Sequence, residues 1–357
     1  RAHADVVLSN PDYVHHVLLS GHERWTRFLR SLRYIVVDEL HYWRGVTGSH
    51  VALILRRLLR IARSLGADPQ VIMLSATVRN PEELAQRMVG ADNVAAITND
   101  GSPAAPKTLA FWQPALSPAE KTKLEYAGDE NAPAYPIPAL RISPWTEAAN
   151  LAAAFIERDA RMLTFVLSRY GAEAVASQTQ DRLERMGSSR AHRVSPYRGG
   201  YLPEERRELE KQLREGVLQA VVTTNALELG IDISGLDATI TCEWPGSRAS
   251  LMQQVGRAGR AGRSGVSVFI AGENPLDNYL VHHPDEALAE VEANVLDLTN
   301  PYVLSPHLCA AAAERPLQVE DLQLFGLTST ALLDALSEQG YLWKRPTGWH
   351  WNYSLTI

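Results

Sequence analysis

Short apolar runs alternate with helical patterns along this chain, and that alternation restricts it to α/β folds built on parallel sheets. Residues 5–8 (DVVL), 34–37 (YIVV) and 71–74 (VIML) read as buried strands. Between the last two, residues 48–66 place Val51, Leu53, Ile54, Leu55, Leu58, Leu59 and Ile61 at helical spacing, with an arginine-rich face opposite. A second helix opens at Asn80-Pro81-Glu82-Glu83, where Asn80 suits the cap and Pro81 the first helical position. Eight prolines then crowd residues 100–144, which read as a linker with one strand near 108–112. A second α/β set follows, with helices at 147–158 and 204–215 and strands at 162–167, 220–224, 238–242 and 266–270.

After residue 300 the pattern is helical at 307–313, 319–325 and 330–339. It ends in an aromatic stretch, 341–353, carrying Trp343, Trp349 and Trp351. These tryptophans read as the core of a small winged-helix-like module, with a docking surface for nucleic acid or protein as the alternative. The expected domains are residues 1–105, a linker at 106–144, residues 145–298, and the small module at 299–357. At 357 residues the length agrees, since two domains of about 150 residues leave a short remainder.

Composition removes several classes. With 45% hydrophobic and 21% charged residues, neither wholesale disorder nor a coiled coil fits. No stretch approaches the roughly 18 apolar residues that span a bilayer, so no membrane partner is expected. Two cysteines, Cys242 and Cys309, build neither a disulfide framework nor a four-thiolate zinc site, and the expected setting is reducing and cytoplasmic. The net charge of −6 means that nucleic-acid binding requires a local basic face.

The chemistry lies at the strand ends. Asp38-Glu39-Leu40-His41 follows YIVV directly, and the C-terminal tip of a parallel strand is where such sheets bind ligands. Adjacent carboxylates there suit nucleotide hydrolysis, one holding Mg²⁺ through water and the next orienting the attacking water. A solvated acidic loop is the competing reading. Ser75-Ala76-Thr77 ends VIML and reads equally as a cap for the next helix. Thr223 to Asp232 (TTNALELGID) offers hydroxyls for a phosphate backbone, and Asp232 is spaced to reach a ribose hydroxyl. Gln253 to Arg260 (QQVGRAGR) is the most specific element. Two arginines three residues apart, each preceded by glycine, are expected on one helix face with little steric cover, as arginine fingers for a phosphoryl group.

Taken together, in this order and each at a strand end, the elements resemble those of superfamily 2 DExH-box helicases. The closer resemblance is to the bacterial mitomycin-repair helicases, which carry a C-terminal zinc region, and to their fungal RecQ-like relatives. Residues 38–61, 197–213, 223–240, 245–265 and 274–285 carry it. It implies two RecA-like parallel-sheet domains, the first incomplete, followed by a winged-helix-like module. It implies an ATP-dependent DNA helicase with ATP and Mg²⁺ as cofactors, single-stranded or forked DNA as partner, a repair-nuclease partner, and work in the bacterial nucleoid, with an RNA-acting or Lhr-type helicase as the alternative.

Residue by residue, the resemblance makes Asp38 the Mg²⁺-linked carboxylate and Glu39 the base. His41, Ser75 and Thr77 couple hydrolysis to domain movement, and Gln253 opens the arginine motif. Gly230 and Asp232 lie toward the nucleotide, and Arg257 and Arg260 are the arginine fingers. Ser9, Asn10, Ser168, Arg169, Tyr197, Arg198 and Thr223 form the expected backbone-contacting set. The family's phosphate loop, G-x-x-x-x-G-K-[ST], does not occur here. The nearest imitation, residues 101–108, has Pro106 where the second glycine belongs and lies on the wrong side of the SAT motif. Residues 1–357 alone are therefore expected to show no ATPase activity, and a nucleic-acid-binding remnant is the non-enzymatic alternative.

Overall fold

The computed structural model describes residues 4–76, 78–99, 101, 105–117, 140–228, 236–259 and 262–355. After short helical segments at Pro11–Tyr13, Val14–Leu19, His22–Trp25 and Thr26–Arg30 come β1 (Tyr34–Val37), α1 (Gly45–Ser64), β2 (Gln70–Met73), α2 (Pro81–Val89) and β3 (Lys107–Trp112). Next come α3 (Pro144–Glu157), β4 (Met162–Phe165), α4 (Arg169–Arg185), β5 (Val194–Tyr197), α5 (Pro203–Glu215) and β6 (Ala220–Thr223). The chain continues through β7 (Ala238–Cys242), α6 (Arg248–Gly256), β8 (Gly265–Ile270) and α7 (Pro275–His282). It closes with α8 (Pro301–Glu314), α9 (Ala331–Glu338), β9 (Leu342–Arg345) and β10 (Gly348–Trp351). Two units result, one of Arg1–Asn99 with Ala293–Ile357 and one of Asp100–Glu292.

In the first unit β1 and β2 pair in parallel, Tyr34 opposite Gln70 and Val37 opposite Met73. Residues 5–8 are not a strand, and Val6 and Leu8 are 78% and 96% exposed. Apolar composition alone does not make a strand, because the backbone groups of these residues lack a ladder partner. Helix α2 starts at Pro81 without a side-chain cap from Asn80, whose amide donates instead to Glu83. It stops at Gly90, whose φ of 68° ends the helix in the left-handed region.

The arginine face of α1 is covered. Arg56, Arg57 and Arg60 are 4%, 2% and 5% exposed because the C-terminal module packs on that face. Arg60 donates to the carbonyls of Ala311 and Pro316 and pairs with Asp321, and Arg56 donates to the carbonyl of Leu324. Burial, followed by the nearby Arg87, pulls the Arg56 pKa down to about 10. One continuous core runs from Leu53 and Leu59 of α1 to Phe325, Leu333, Trp349 and Trp351. The module is winged-helix in outline: α8, a turn of helix at Asp321–Leu324, α9, and the antiparallel hairpin β9–β10. Its period-2 alternation buries Trp349 and Trp351 and turns Trp343 outward, so two of the three tryptophans serve as core.

The second unit is a six-stranded sheet in the order β3-β8-β7-β4-β6-β5, parallel throughout. β3, inside the stretch read as a linker, is its edge strand and follows β8 from Lys107↔Gly265 to Trp112↔Ile270. The opposite edge, β5, contains Pro196, which an edge strand tolerates. Where the chain turns back into β8, two glycines cross at close range. A Cβ on Gly265 would lie 2.4 Å from the Gly259 nitrogen, and Gly259 itself has φ +72°. Gly265→Ala is expected to lower unfolding free energy by at least about 2 kcal/mol, from overpacking against backbone. A urea midpoint equal to wild type would show that the crossing relaxes freely.

Candidate active site

At the tip of β1, Asp38 is exposed and its Oδ1 accepts the Glu39 amide at 2.8 Å. Glu39 sits at φ 52°, ψ 47°, a left-handed conformation that a non-glycine residue holds at an energetic cost. This turns the chain sharply, so that Leu40 donates its N–H to the carbonyl of Leu74 at the tip of β2. His41 is thereby buried beside Ser75, with Nδ1 and Oγ sharing a hydrogen bond of 3.1 Å. Its Nε2 lies 3.6 Å from Glu39 Oε2. Burial holds the His41 pKa below the usual histidine value, although Glu39 pulls the other way. DELH and the first hydroxyl of SAT therefore form one connected group.

In the second unit the expected arginine motif takes a different shape. Helix α6 ends at Gly256, and Arg257 is its C-cap. Gly259, at positive φ, then turns the chain away, so GRAGR is not a continuous helix presenting one face. Arg257 is covered, 8% exposed, and donates its Nε to the carbonyl of Glu228 at 3.2 Å. Gln253 is half-buried. Its neighbour Gln254 is the buried hub: it accepts from Thr241 Oγ1 at 2.9 Å and donates to Glu228 Oε2 at 3.3 Å. Sequence reading passed over Gln254 and Glu228, although the adjacent glutamines and the acidic residue inside TTNALELGID were the available signal. Thr77, Gly230, Asp232 and Arg260 lie outside the described residues.

The expected nucleic-acid set divides. Arg169 is exposed at the start of α4, and Ser168 caps that helix by accepting the Gly171 N–H at 2.9 Å. Asn10 likewise caps a short helical turn through the Tyr13 N–H, and Ser9 beside it is exposed. Arg198 pairs with Glu173 at 3.4 Å and lies 5.0 Å from the Tyr201 ring centre. Tyr197 and Thr223 require correction. Tyr197 is 3% exposed, with its hydroxyl donating to Glu210, and Thr223 is 0% exposed. Tyr197 packs in a core cluster with Leu163, Phe165 and Val221, and Thr223 lies on β6, which is buried on both faces, so neither side chain is open to a phosphate here.

Family models match in the order that the motifs take. The DEAD/DEAH box helicase model covers residues 1–84, the helicase conserved C-terminal domain 149–262, and the winged helix domain of the ATP-dependent helicase HRQ1 296–356. Fold and site thus define a superfamily 2 helicase. The chain is 36% identical to the uncharacterized ATP-dependent helicase YprA of Bacillus subtilis, over 98% of the chain and 44% of the relative. It is also 36% identical to the ATP-dependent helicase HRQ1 of Saccharomyces cerevisiae, over 91% of the chain and 29% of the relative. The crystal structure of the DUF1998 helicase MrfA bound to DNA and AMPPNP superposes with TM-score 0.85 at 35% identity, covering 96% of this chain and 45% of that one. The chain belongs to the superfamily 2 helicases, is similar to YprA, HRQ1 and MrfA, and spans less than half the length of these relatives.

Proposed function

We propose that the protein containing this chain hydrolyses ATP to move along single-stranded DNA, as a repair helicase of the bacterial nucleoid. The observation that carries this reading is the connected group Asp38–Glu39–His41–Ser75, which ties the acidic strand tip to the hydroxyl of the adjacent strand tip. The reading also draws on the relative MrfA, whose structure holds DNA and AMPPNP. Asp38 fits a divalent cation held through water, since its second carboxylate oxygen has no protein partner among the described residues and is open to solvent. Mg²⁺ is commonly bound by one or two carboxylates together with substrate phosphates, and a single exposed aspartate suits that arrangement. When bound, it would neutralise charge on the β- and γ-phosphates.

Glu39 would then accept a proton from the attacking water, with His41 holding its carboxylate in place. The complete gene product is expected to hydrolyse ATP faster with single-stranded DNA present and to displace a strand from a forked duplex. A turnover rate indifferent to every DNA tested would overturn the reading.

A related prediction separates the exposed arginines. Arg169 has no ion-pair partner among the described residues, whereas Arg198 has Glu173. Arg169→Ala should make the salt dependence of single-strand binding shallower by roughly 0.7 in log–log slope, the counterion share of one phosphate on a single strand. Arg198→Ala should change the slope less, because its charge is already partly neutralised. Equal changes in the two variants would show that the Glu173 pair opens on binding.

A further inference from the structure

We propose that Tyr170 and Trp145 form a base-stacking shelf for single-stranded DNA at the C-terminal edge of the six-stranded sheet. This rests on the helicase reading and adds to it, since Ser168 and Arg169 address only the sugar–phosphate backbone. Tyr170 is 74% exposed in the first turn of α4, immediately beyond the tip of β4. Its ring lies 5.9 Å from that of Trp145, tilted by 57°, so one side is supported and the rest stands in solvent.

The support is constructed from several directions. Trp145 Nε1 donates to Glu243 Oε2 at 3.4 Å. Glu243 follows β7 directly and holds φ +70°, one of three non-glycine residues at positive φ among those described. Two glycines make room for this arrangement. A Cβ on Gly171 would lie 3.2 Å from Trp145 Cζ2, and one on Gly272 would lie 2.9 Å from Glu243 Oε1. Beneath them the fully buried Asp277 accepts the N–H groups of Gly272 at 2.7 Å and Trp244 at 3.2 Å, pinning the loops after β8 and β7 together. Trp145 is partly buried with one side against the core of the second unit, and the Glu243 contact together with the room left by the two glycines fixes its indole beside the open Tyr170 ring. Such fixing is what a preorganised ligand surface requires.

Charge and shape together select the ligand. Arg169, next to the shelf and without an ion-pair partner among the described residues, meets a phosphate, while the open Tyr170 ring meets a base. Alternating cation and aromatic contacts are how single strands are held without sequence preference. Glu243 acts through Trp145 as a positioning residue.

The test measures binding of the full chain to two oligomers of equal length, oligo(dT) and an abasic deoxyribose-phosphate strand. Tyr170→Ala should weaken oligo(dT) binding about tenfold and leave abasic binding unchanged, and Tyr170→Phe should bind as wild type. Glu243→Ala should cause the same base-dependent loss, while Glu243→Gln, whose amide oxygen still accepts the indole N–H, restores binding. Equal losses on both oligomers, or none on oligo(dT), would overturn the shelf and leave the helicase reading standing. A wild-type chain that binds neither oligomer would overturn both. Thermal melting of each variant identifies loss through unfolding, and Tyr170 is exposed enough that its midpoint should not move.

Discussion

Glu39→Gln is expected to slow ATP turnover by ~10²-fold or more in the complete gene product while leaving nucleotide affinity near wild type. The amide keeps the size of the carboxylate but cannot take a proton from water. Glu39 holds a left-handed backbone at the β1 tip, and His41 Nε2 lies 3.6 Å from its carboxylate, the placement on which the proposed role rests. The alternative role, a solvated acidic loop, predicts no change in turnover. Single-turnover hydrolysis and titration with a non-hydrolysable ATP analogue separate chemistry from binding. Wild-type turnover in this variant would remove Glu39 from the mechanism.

Glu314→Ala is expected to destabilise the first unit by about 3–5 kcal/mol, the cost of leaving a buried charge without its partner. Arg57 of α1 and Glu314 of α8 pair at 2% and 3% exposure. Arg57 Nη1 also donates to His15 Nδ1 at 2.8 Å and His307 Nδ1 at 3.1 Å. Since arginine only donates, both Nδ1 atoms must accept; His307 then carries its proton on Nε2 and donates it to His50 Nδ1 at 2.9 Å. The double variant Arg57→Met/Glu314→Leu should recover much of the loss, because a well-packed apolar pair removes the desolvation penalty. Urea unfolding of the three proteins decides this, and a Glu314→Ala midpoint at the wild-type value would show that the pair carries no stability.

The same cluster sets a pH dependence. Burial, then Arg57, pushes the His307 pKa down to about 3 and the His15 pKa down to about 4. Unfolded histidine takes up its proton near 6.5. The unfolded chain therefore binds more protons below that value, and stability present above pH 6.5 drains away as pH falls toward 4 and 3. His307→Gln should flatten the decline in melting temperature between pH 7 and pH 4.5. An unaltered slope would assign the acid sensitivity to other groups.

Much of this was legible along the chain. Apolar runs of strand length at 220–224, 238–242 and 266–270 became strands buried within the second sheet, whereas 34–37, also expected to be buried, forms a strand that leaves Tyr34 and Val36 exposed. The DELH and SAT motifs sat at strand ends, and from there their adjacency at the C-terminal edge followed from parallel pairing. Helix α4 was missed because its buried face is made of small residues, Gly171, Ala172, Val175 and Ala176, which give little apolar periodicity.

Local patterning determined which segments could be strand, helix or strand-tip chemistry, since period and composition act over a few residues. Tertiary structure alone decided what each polar side chain meets. The arginine face of α1 is legible in the sequence, but its partners are not: α8 and the residues just after it supply Glu314 and the Ala311 and Pro316 carbonyls, about 250 residues away in sequence. Gln254 rather than Gln253 became the buried hub because α6 turns that side toward Thr241 and Glu228. Thr223 is buried because β6 lies inside the sheet with both faces covered, and Tyr197 because its ring packs with Leu163 and Phe165. Desolvation and hydrogen-bond partners arise from contacts distant in sequence, and no local pattern encodes them.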